Sequence, residues 1–229
     1  MNSVTPETPR RGPFVTLEGG EGVGKSTQAR RLVERLRRAG IEAIATREPG
    51  GSPGAEMLRD LLLSGKIKDL GAKAEAILFA AARIDHIDHK IAPALAAGTW
   101  VVSDRFADST RAYQGALGGL DAGFLHALER VTLGDIRPDL TFILDLPPEI
   151  GLARATQRRG AHLALDRFEG ESIAFHEALR NAYLEIAAAE PQRCVLVDAA
   201  QSEDDVAQAI WDTVSYRLLA TPVEEAHGA

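Results

Sequence analysis

Residues 14–27 read Phe-Val-Thr-Leu-Glu-Gly-Gly-Glu-Gly-Val-Gly-Lys-Ser-Thr. A β-branched and aromatic run reads as a buried strand, the glycines break it, and Lys25 to Ala39 continues with helical character. Gly19, Gly24, Lys25 and Ser26 fit G-x-x-x-x-G-K-[ST], and the flanking strand and helix supply the setting this motif needs. Without Cβ atoms, the glycines can turn their amides toward one point, where the helix N-terminus adds partial positive charge. Residues Gly19, Gly20, Glu21, Gly22, Val23, Gly24, Lys25, Ser26 and Thr27 therefore form a candidate polyphosphate cradle. Lys25 would place a charge on the β- and γ-phosphates, and the Ser26 hydroxyl is a hard oxygen for a bridging Mg²⁺. The competing reading, a glycine-rich turn without a ligand, explains neither the lysine nor the setting.

The remaining composition narrows the partner. With 229 residues, one sizeable core in one domain is expected. The formal charge of −7 argues against a broad electrostatic grip on DNA or RNA, so a phosphorylated ligand should be small and held by individual cations. No apolar stretch approaches the length of a membrane span, and residues 1–12 lack the apolar core of a signal peptide. A cytoplasmic protein is expected. The single cysteine, Cys194, lies in the apolar run Cys-Val-Leu-Val-Asp and reads as a small buried hydrophobe.

Outward from the loop, the chain alternates strand and helix. Short strands are expected at 41–46, 100–103, 140–146 and 194–198, separated by helical sequence. Such alternation predicts a parallel sheet covered on both faces, with ligands at the carboxyl ends of the strands, where Glu18, Asp104 and Asp145 stand. A long helix is expected over about 72–97, with Ile77, Leu78, Ala81, Ile84, Ile91, Ala94 and Leu95 facing the sheet. Residues 1–12 and 221–229 read as flexible tails.

Three clusters carry possible chemistry. Asp104 and Arg105, at the end of Trp-Val-Val-Ser-Asp-Arg-Phe, could hold the Mg²⁺ shell and clamp a phosphate; a local ion pair is the alternative. Residues 157–169, with Arg158, Arg159 and Arg167, read as a lid whose arginines could neutralise a phosphoryl group in transfer, or as a solvated charged loop. Asp85, His86, Asp88 and His89 suggest a metal cluster, but a solvated face opposite the apolar stripe accounts for them with fewer assumptions. No Ser-His-Asp or Cys-His pattern stands out.

Taken together, Phe-Val-Thr-Leu-Glu-Gly-Gly-Glu-Gly-Val-Gly-Lys-Ser-Thr, Thr-Arg-Glu-Pro-Gly-Gly (46–51), Leu-Phe-Ala-Ala-Ala-Arg (78–83), Asp-Arg-Phe-Ala-Asp-Ser-Thr-Arg-Ala-Tyr-Gln-Gly (104–115), Arg-Pro-Asp-Leu-Thr-Phe-Ile-Leu-Asp-Leu (137–146) and Leu-Asp-Arg-Phe-Glu (165–169) resemble bacterial thymidylate kinases, in that family's order. The resemblance implies a P-loop NTPase fold: a five-stranded parallel sheet with helices on both faces in a three-layer sandwich, over about 13–220. It also implies transfer of the γ-phosphate of ATP to dTMP with Mg²⁺, in a homodimer with no nucleic-acid or membrane partner. The acceptor phosphate, with a second pKa of about 6, is largely a dianion at neutral pH and needs no dedicated base.

By position, the resemblance implies that Glu21 faces the dTMP sugar and phosphate and that Phe79 stacks on thymine. Arg83, one helical turn on, would donate to the base carbonyl O4, favouring thymine or uracil over cytosine. Arg105 and Arg59 would contact the acceptor phosphate, Thr110 and Gln114 the base region, and Tyr113 would crowd the 2′ position. Glu48 would line the nucleoside pocket, and residues 198–202 would flank adenine. Gly22 stands where one class of the family carries an arginine, so the catalytic cation should come from the lid, with Arg159 and Arg167 the favoured candidates. The rivals are a kinase for another nucleotide or a nucleoside, and a nucleotide-dependent switch. The second lacks the Asn-Lys-x-Asp guanine motif.

Overall fold

Five short strands, Phe14–Glu18 (β1), Ala43–Arg47 (β2), Trp100–Asp104 (β3), Leu140–Asp145 (β4) and Cys194–Asp198 (β5), pair in parallel in the order β2-β3-β1-β4-β5. The computed structural model describes residues 11–159 and 167–219. The expected tails at 1–10 and 221–229 lie outside these residues. Arg11 and Gly12, read from sequence as tail, are tied to the body: the Arg11 guanidinium bonds Asp139, and the Gly12 amide donates to the Leu95 carbonyl at 2.8 Å.

Nine helices are described: Lys25–Arg38 (α1), Pro53–Leu63 (α2), Gly71–His86 (α3), Ala92–Ala96 (α4), Ala107–Thr110 (α5), Ala122–Leu133 (α6), Pro148–Arg159 (α7), Ile173–Ala189 (α8) and Glu203–Val214 (α9). On one side of the sheet Val15, Leu17 and Phe142 pack with Leu32, Leu36 and Ile210 of α1 and α9. On the other, Phe14 and Val101 meet Ile91, Leu95, Phe106 and Leu133, and Ile143 meets Leu179 and Tyr183. This is the expected three-layer arrangement. Burying a side chain of this size contributes roughly 1.5–3 kcal/mol, so β1, buried at every position, is anchored from both faces. Among the described residues, no helix is long and apolar enough to cross a membrane.

Register decides where the chemistry sits. Leu17 lies opposite Asp104, Glu18 opposite Ile143, and Asp145 opposite Asp198, so the acids of β1, β3, β4 and β5 emerge along one edge. Cys194 is buried, and burial pushes its thiol up to about 11, consistent with a packing role.

Two expectations about residues 72–97 need correction. The helical stretch runs from Gly71 to Ala96 without a break in the chain of turns but widens into a π turn at Ile87–Ile91, just before Pro93, whose missing N–H and bulky ring disturb the regular ladder. The apolar stripe holds only in part: Ile91 and Leu95 are buried as expected, but Ile77, Ala81 and Ile84 are exposed, while Glu75, Ala76, Ala80, Ala82, Arg83 and His86 are buried. The buried positions of α3 are shared between alanines and polar groups, so part of the apolar periodicity points outward.

The Asp85 to His89 cluster is a solvated face only at Asp88 and His89, which are exposed. His86 is fully buried, bonding Thr46 Oγ1 at 2.6 Å and Glu48 Oε1 at 3.1 Å. Asp85 accepts from the Ser52 hydroxyl and the Ala55 amide, capping α2 from outside its own chain segment. The Ser52 hydrogen bond, helped by Ala55 and His89, holds the Asp85 carboxyl below its usual range.

Candidate active site

The loop between β1 and α1 takes its shape from positive φ at Gly19, Gly22 and Gly24. A Cβ at Gly22 would stand 1.9 Å from the Gly151 carbonyl oxygen of α7, so this position cannot carry a side chain without moving the helix. That gives the departure at Gly22 a physical basis. No side chain caps α1, whose N-cap is Gly24, so no cap side chain takes up its first-turn amides.

Lys25 is buried and donates to the carbonyls of Gly20 at 2.6 Å and Gly19 at 3.1 Å. Burial, then repulsion from Arg105, lowers its ammonium to about 8 against the pull of Glu21, Asp104 and Glu18. An approaching polyphosphate would pull it back up. The Ser26 hydroxyl donates to Asp104, joining the two expected metal ligands across the β1–β3 edge.

Arg105 stands at the junction. It has φ 71°, the only non-glycine in the left-handed region among the described residues. Such a conformation costs on the order of 1–3 kcal/mol and must be imposed by its surroundings. The Arg105 amide donates to the Leu17 carbonyl at 2.9 Å and its carbonyl accepts from Ser103 at 2.8 Å. Nη2 bonds Glu21 Oε1 at 2.6 Å and the Tyr113 hydroxyl at 3.1 Å; Nη1 bonds the Gly19 carbonyl and the Tyr183 hydroxyl, both at 3.1 Å. The ion partner is therefore Glu21 of the loop, which replaces the local pairing with Asp104.

Two carboxyls behind this arginine are pushed in opposite directions. Burial would raise Glu21, but Arg105, Lys25 and the Tyr113 hydroxyl outweigh it and hold the group at about 2. Glu18 is wholly buried; burial and then Asp108 raise it to about 7 despite Arg105, Ser109 and the Phe106 amide. Asp108 is itself fixed by Arg193 at 2.7 and 2.9 Å, while Arg111 grips Glu129 at 2.5 and 2.9 Å. These pairs bind α5 and the turn after it to α6 and the start of β5.

One cavity opens from the loop to the far side of Arg105. Glu48, Arg59, Phe79, Arg83, Arg105, Thr110, Tyr113 and Gln114 all line it, together with Glu21, Lys25, Ser26 and Asp104. Arg83 is held by Glu48 at 2.7 Å, the Phe106 carbonyl at 3.1 Å and Thr110 at 3.2 Å. Arg59 donates to the Pro49 carbonyl at 2.6 Å. The polar end thus lies at the loop and the aromatic end at α3.

The lid reading is only partly accessible. Residues 160–166 and the side chains of Arg158 and Arg159 lie outside the described residues. Arg167 pairs with Glu75 of α3 and stacks over Phe168, with 4.8 Å between its guanidinium and the ring centroid. Phe168 meets Tyr113 edge-on at 4.8 Å and lines the cavity. Sequence reading did not single out Phe168, Tyr183, Ser109 or Glu75. Phe168 and Ser109 lie within the motifs that carry the resemblance, but nothing local signals the long-range contacts of Ser109 or Tyr183.

The sequence model of the thymidylate kinase family matches residues 17–210. The chain is 57% identical over 221 residues to a thymidylate kinase of Bradyrhizobium diazoefficiens, covering 96% of each chain. It is 60% identical over 209 residues to one of Nitrobacter hamburgensis, covering 91% of this chain and 90% of that protein. Among solved structures, thymidylate kinase from Ehrlichia chaffeensis matches with a TM-score of 0.71 and 30% identity, over 89% of this chain and 99% of that one.

Proposed function

The chain belongs to the thymidylate kinase family and transfers the γ-phosphate of ATP to dTMP, giving dTDP and ADP; from that premise we propose how its own residues divide the work. Amides of residues 19–27 and Lys25 hold the β- and γ-phosphates, with Ser26 and Asp104 as ligands for Mg²⁺. Their paired oxygens suit a hard cation, which would neutralise phosphate charge when bound.

Arg105 and Arg59 hold the dTMP phosphate, while Glu21 fixes Arg105 and faces the sugar. Phe79 stacks on thymine, Arg83 donates to O4, Thr110 and Gln114 bound the base, Tyr113 excludes a 2′-hydroxyl, and Glu48 orients Arg83. Arg159 and Arg167 are the proposed lid cations. Arg167 reaches the transferred phosphate only by exchanging Glu75 for it.

The observation that carries this division is Arg105, bonded at once to the loop through Gly19 and Glu21 and to the acceptor cavity through Tyr113. Both nucleotides are anionic, so catalysis is positioning and charge neutralisation. Steady-state rates across dTMP, dUMP, UMP, dCMP and thymidine test the acceptor assignment. We expect dTMP first, UMP rejected at the 2′ position and dCMP for the amino group it carries where thymine has O4; preference for UMP or dCMP would overturn the roles of Tyr113 and Arg83.

We further propose a cytoplasmic homodimer of one domain, about 13–220. Met57 of α2, Ile77 and Ile84 of α3 and Val131 of α6 expose apolar side chains on packed helices, which suits a self-complementary interface. Sedimentation equilibrium decides it, a monomer at micromolar concentration counting against.

A further inference from the structure

Glu18 has no part in the division of labour above, yet it is a fully buried acid at the end of the central strand. Its Oε1 accepts from the Phe106 amide at 2.7 Å, immediately after the strained Arg105. Its Oε2 accepts from the Ser109 hydroxyl at 2.6 Å and the Tyr183 hydroxyl at 3.2 Å. Those same two oxygens lie 3.3 and 3.1 Å from Arg105 Nη1, and 3.0 Å from each other.

Donor and acceptor rules fix the direction of these bonds. Above about pH 7 Glu18 is ionised and its carboxylate only accepts, a guanidinium only donates, and each hydroxyl has one proton. Between Glu18 and Arg105, the hydroxyl protons turn toward the carboxylate and the lone pairs toward the arginine. We infer that Glu18 is a positioning residue for phosphoryl transfer: it polarises Ser109 and Tyr183 into acceptors and pins the Phe106 amide, so that Arg105 is aimed where, on the assignment above, the two phosphates meet.

An amide at position 18 keeps the volume but brings its own donors. An NH₂ facing Ser109 or Tyr183 would claim a lone pair and turn a hydroxyl proton toward the guanidinium. The damage should reach Arg105 and leave the loop amides and Lys25, which bind ATP, in place.

The test is kcat and KM for Glu18→Gln, Ser109→Ala/Tyr183→Phe, and the triple variant, with Arg105→Ala as reference. Glu18→Gln is expected to lower kcat about 10-fold, as modest misplacement of a reacting contact does, with KM for ATP changed by no more than about twofold. The double variant should show a similar loss. In the triple variant the Glu18 change should add little, because groups acting through one network are not additive.

Wild-type kcat in Glu18→Gln alongside a damaged Arg105→Ala overturns the positioning role alone; wild-type kcat in Arg105→Ala overturns the assignment beneath it. Additive losses in the triple variant also overturn the positioning role. If Glu18→Gln does not fold, the Ser109→Ala/Tyr183→Phe variant decides: wild-type kcat there refutes the relay.

Discussion

Arg105→Ala lowers kcat by about 100- to 1,000-fold, roughly 2.7–4 kcal/mol, the range seen when one preorganised donor to developing charge is removed. The size of the effect follows from how the side chain is held. Arg105 is buried among Glu21, Tyr113, Tyr183 and the Gly19 carbonyl, with a backbone conformation that other residues avoid. Burial would lower its pKa, but those phenols and Glu21 more than offset it, so the charge is permanent.

Its orientation is set before substrate arrives, which is the condition under which a charge contributes most to a transition state. Arg105→Lys keeps the charge but not the planar fork and should recover little of the loss. Rates measured at saturating ATP and dTMP separate this from weakened binding. Wild-type kcat would make Arg105 only the partner of Glu21.

Phe79→Ala raises KM for dTMP by about 5- to 150-fold, corresponding to roughly 1–3 kcal/mol of lost base stacking. The ring lines the acceptor cavity, with Phe168 6.5 Å away and Tyr113 on the same wall. Its proposed contact is with the base alone, so kcat should change far less than KM. Phe79→Leu retains apolar area without a π face and should fall between the two. An unchanged KM for dTMP would remove Phe79 from the base site.

The legible parts of the sequence were those whose chemistry is local. Residues 14–27 carry strand, turn and helix start in one stretch, and each strand is a short apolar run, so sheet class and cradle can be read without tertiary information. Asp104 and Arg105 could be placed at a strand end for the same reason.

What could not be read depends on contacts across the chain. Glu18 was visible as a strand-end acid, but its partners come from residues 106, 109 and 183. His86 and Asp85 are polar residues in a helix and looked solvated; the strand β2 and helix α2 that claim them are some 30 to 40 positions away. Ile77 and Ile84 obeyed helical spacing yet face outward, while the buried positions of α3 go to small alanines and to Glu75, Arg83 and His86, which find partners across the chain. Periodicity reports that a helix has an apolar face, not which neighbour that face meets.

The central claim is that ATP and dTMP occupy two ends of one continuous cleft with their phosphates meeting at Arg105. Calorimetric titration with a dinucleoside polyphosphate joining adenosine to thymidine tests it most directly. One molecule should bind per chain, more tightly than either nucleotide alone, and be displaced both by dTMP and by a nonhydrolysable ATP analogue. Displacement by only one of the two, or binding no tighter than that of the stronger single nucleotide, would contradict the claim.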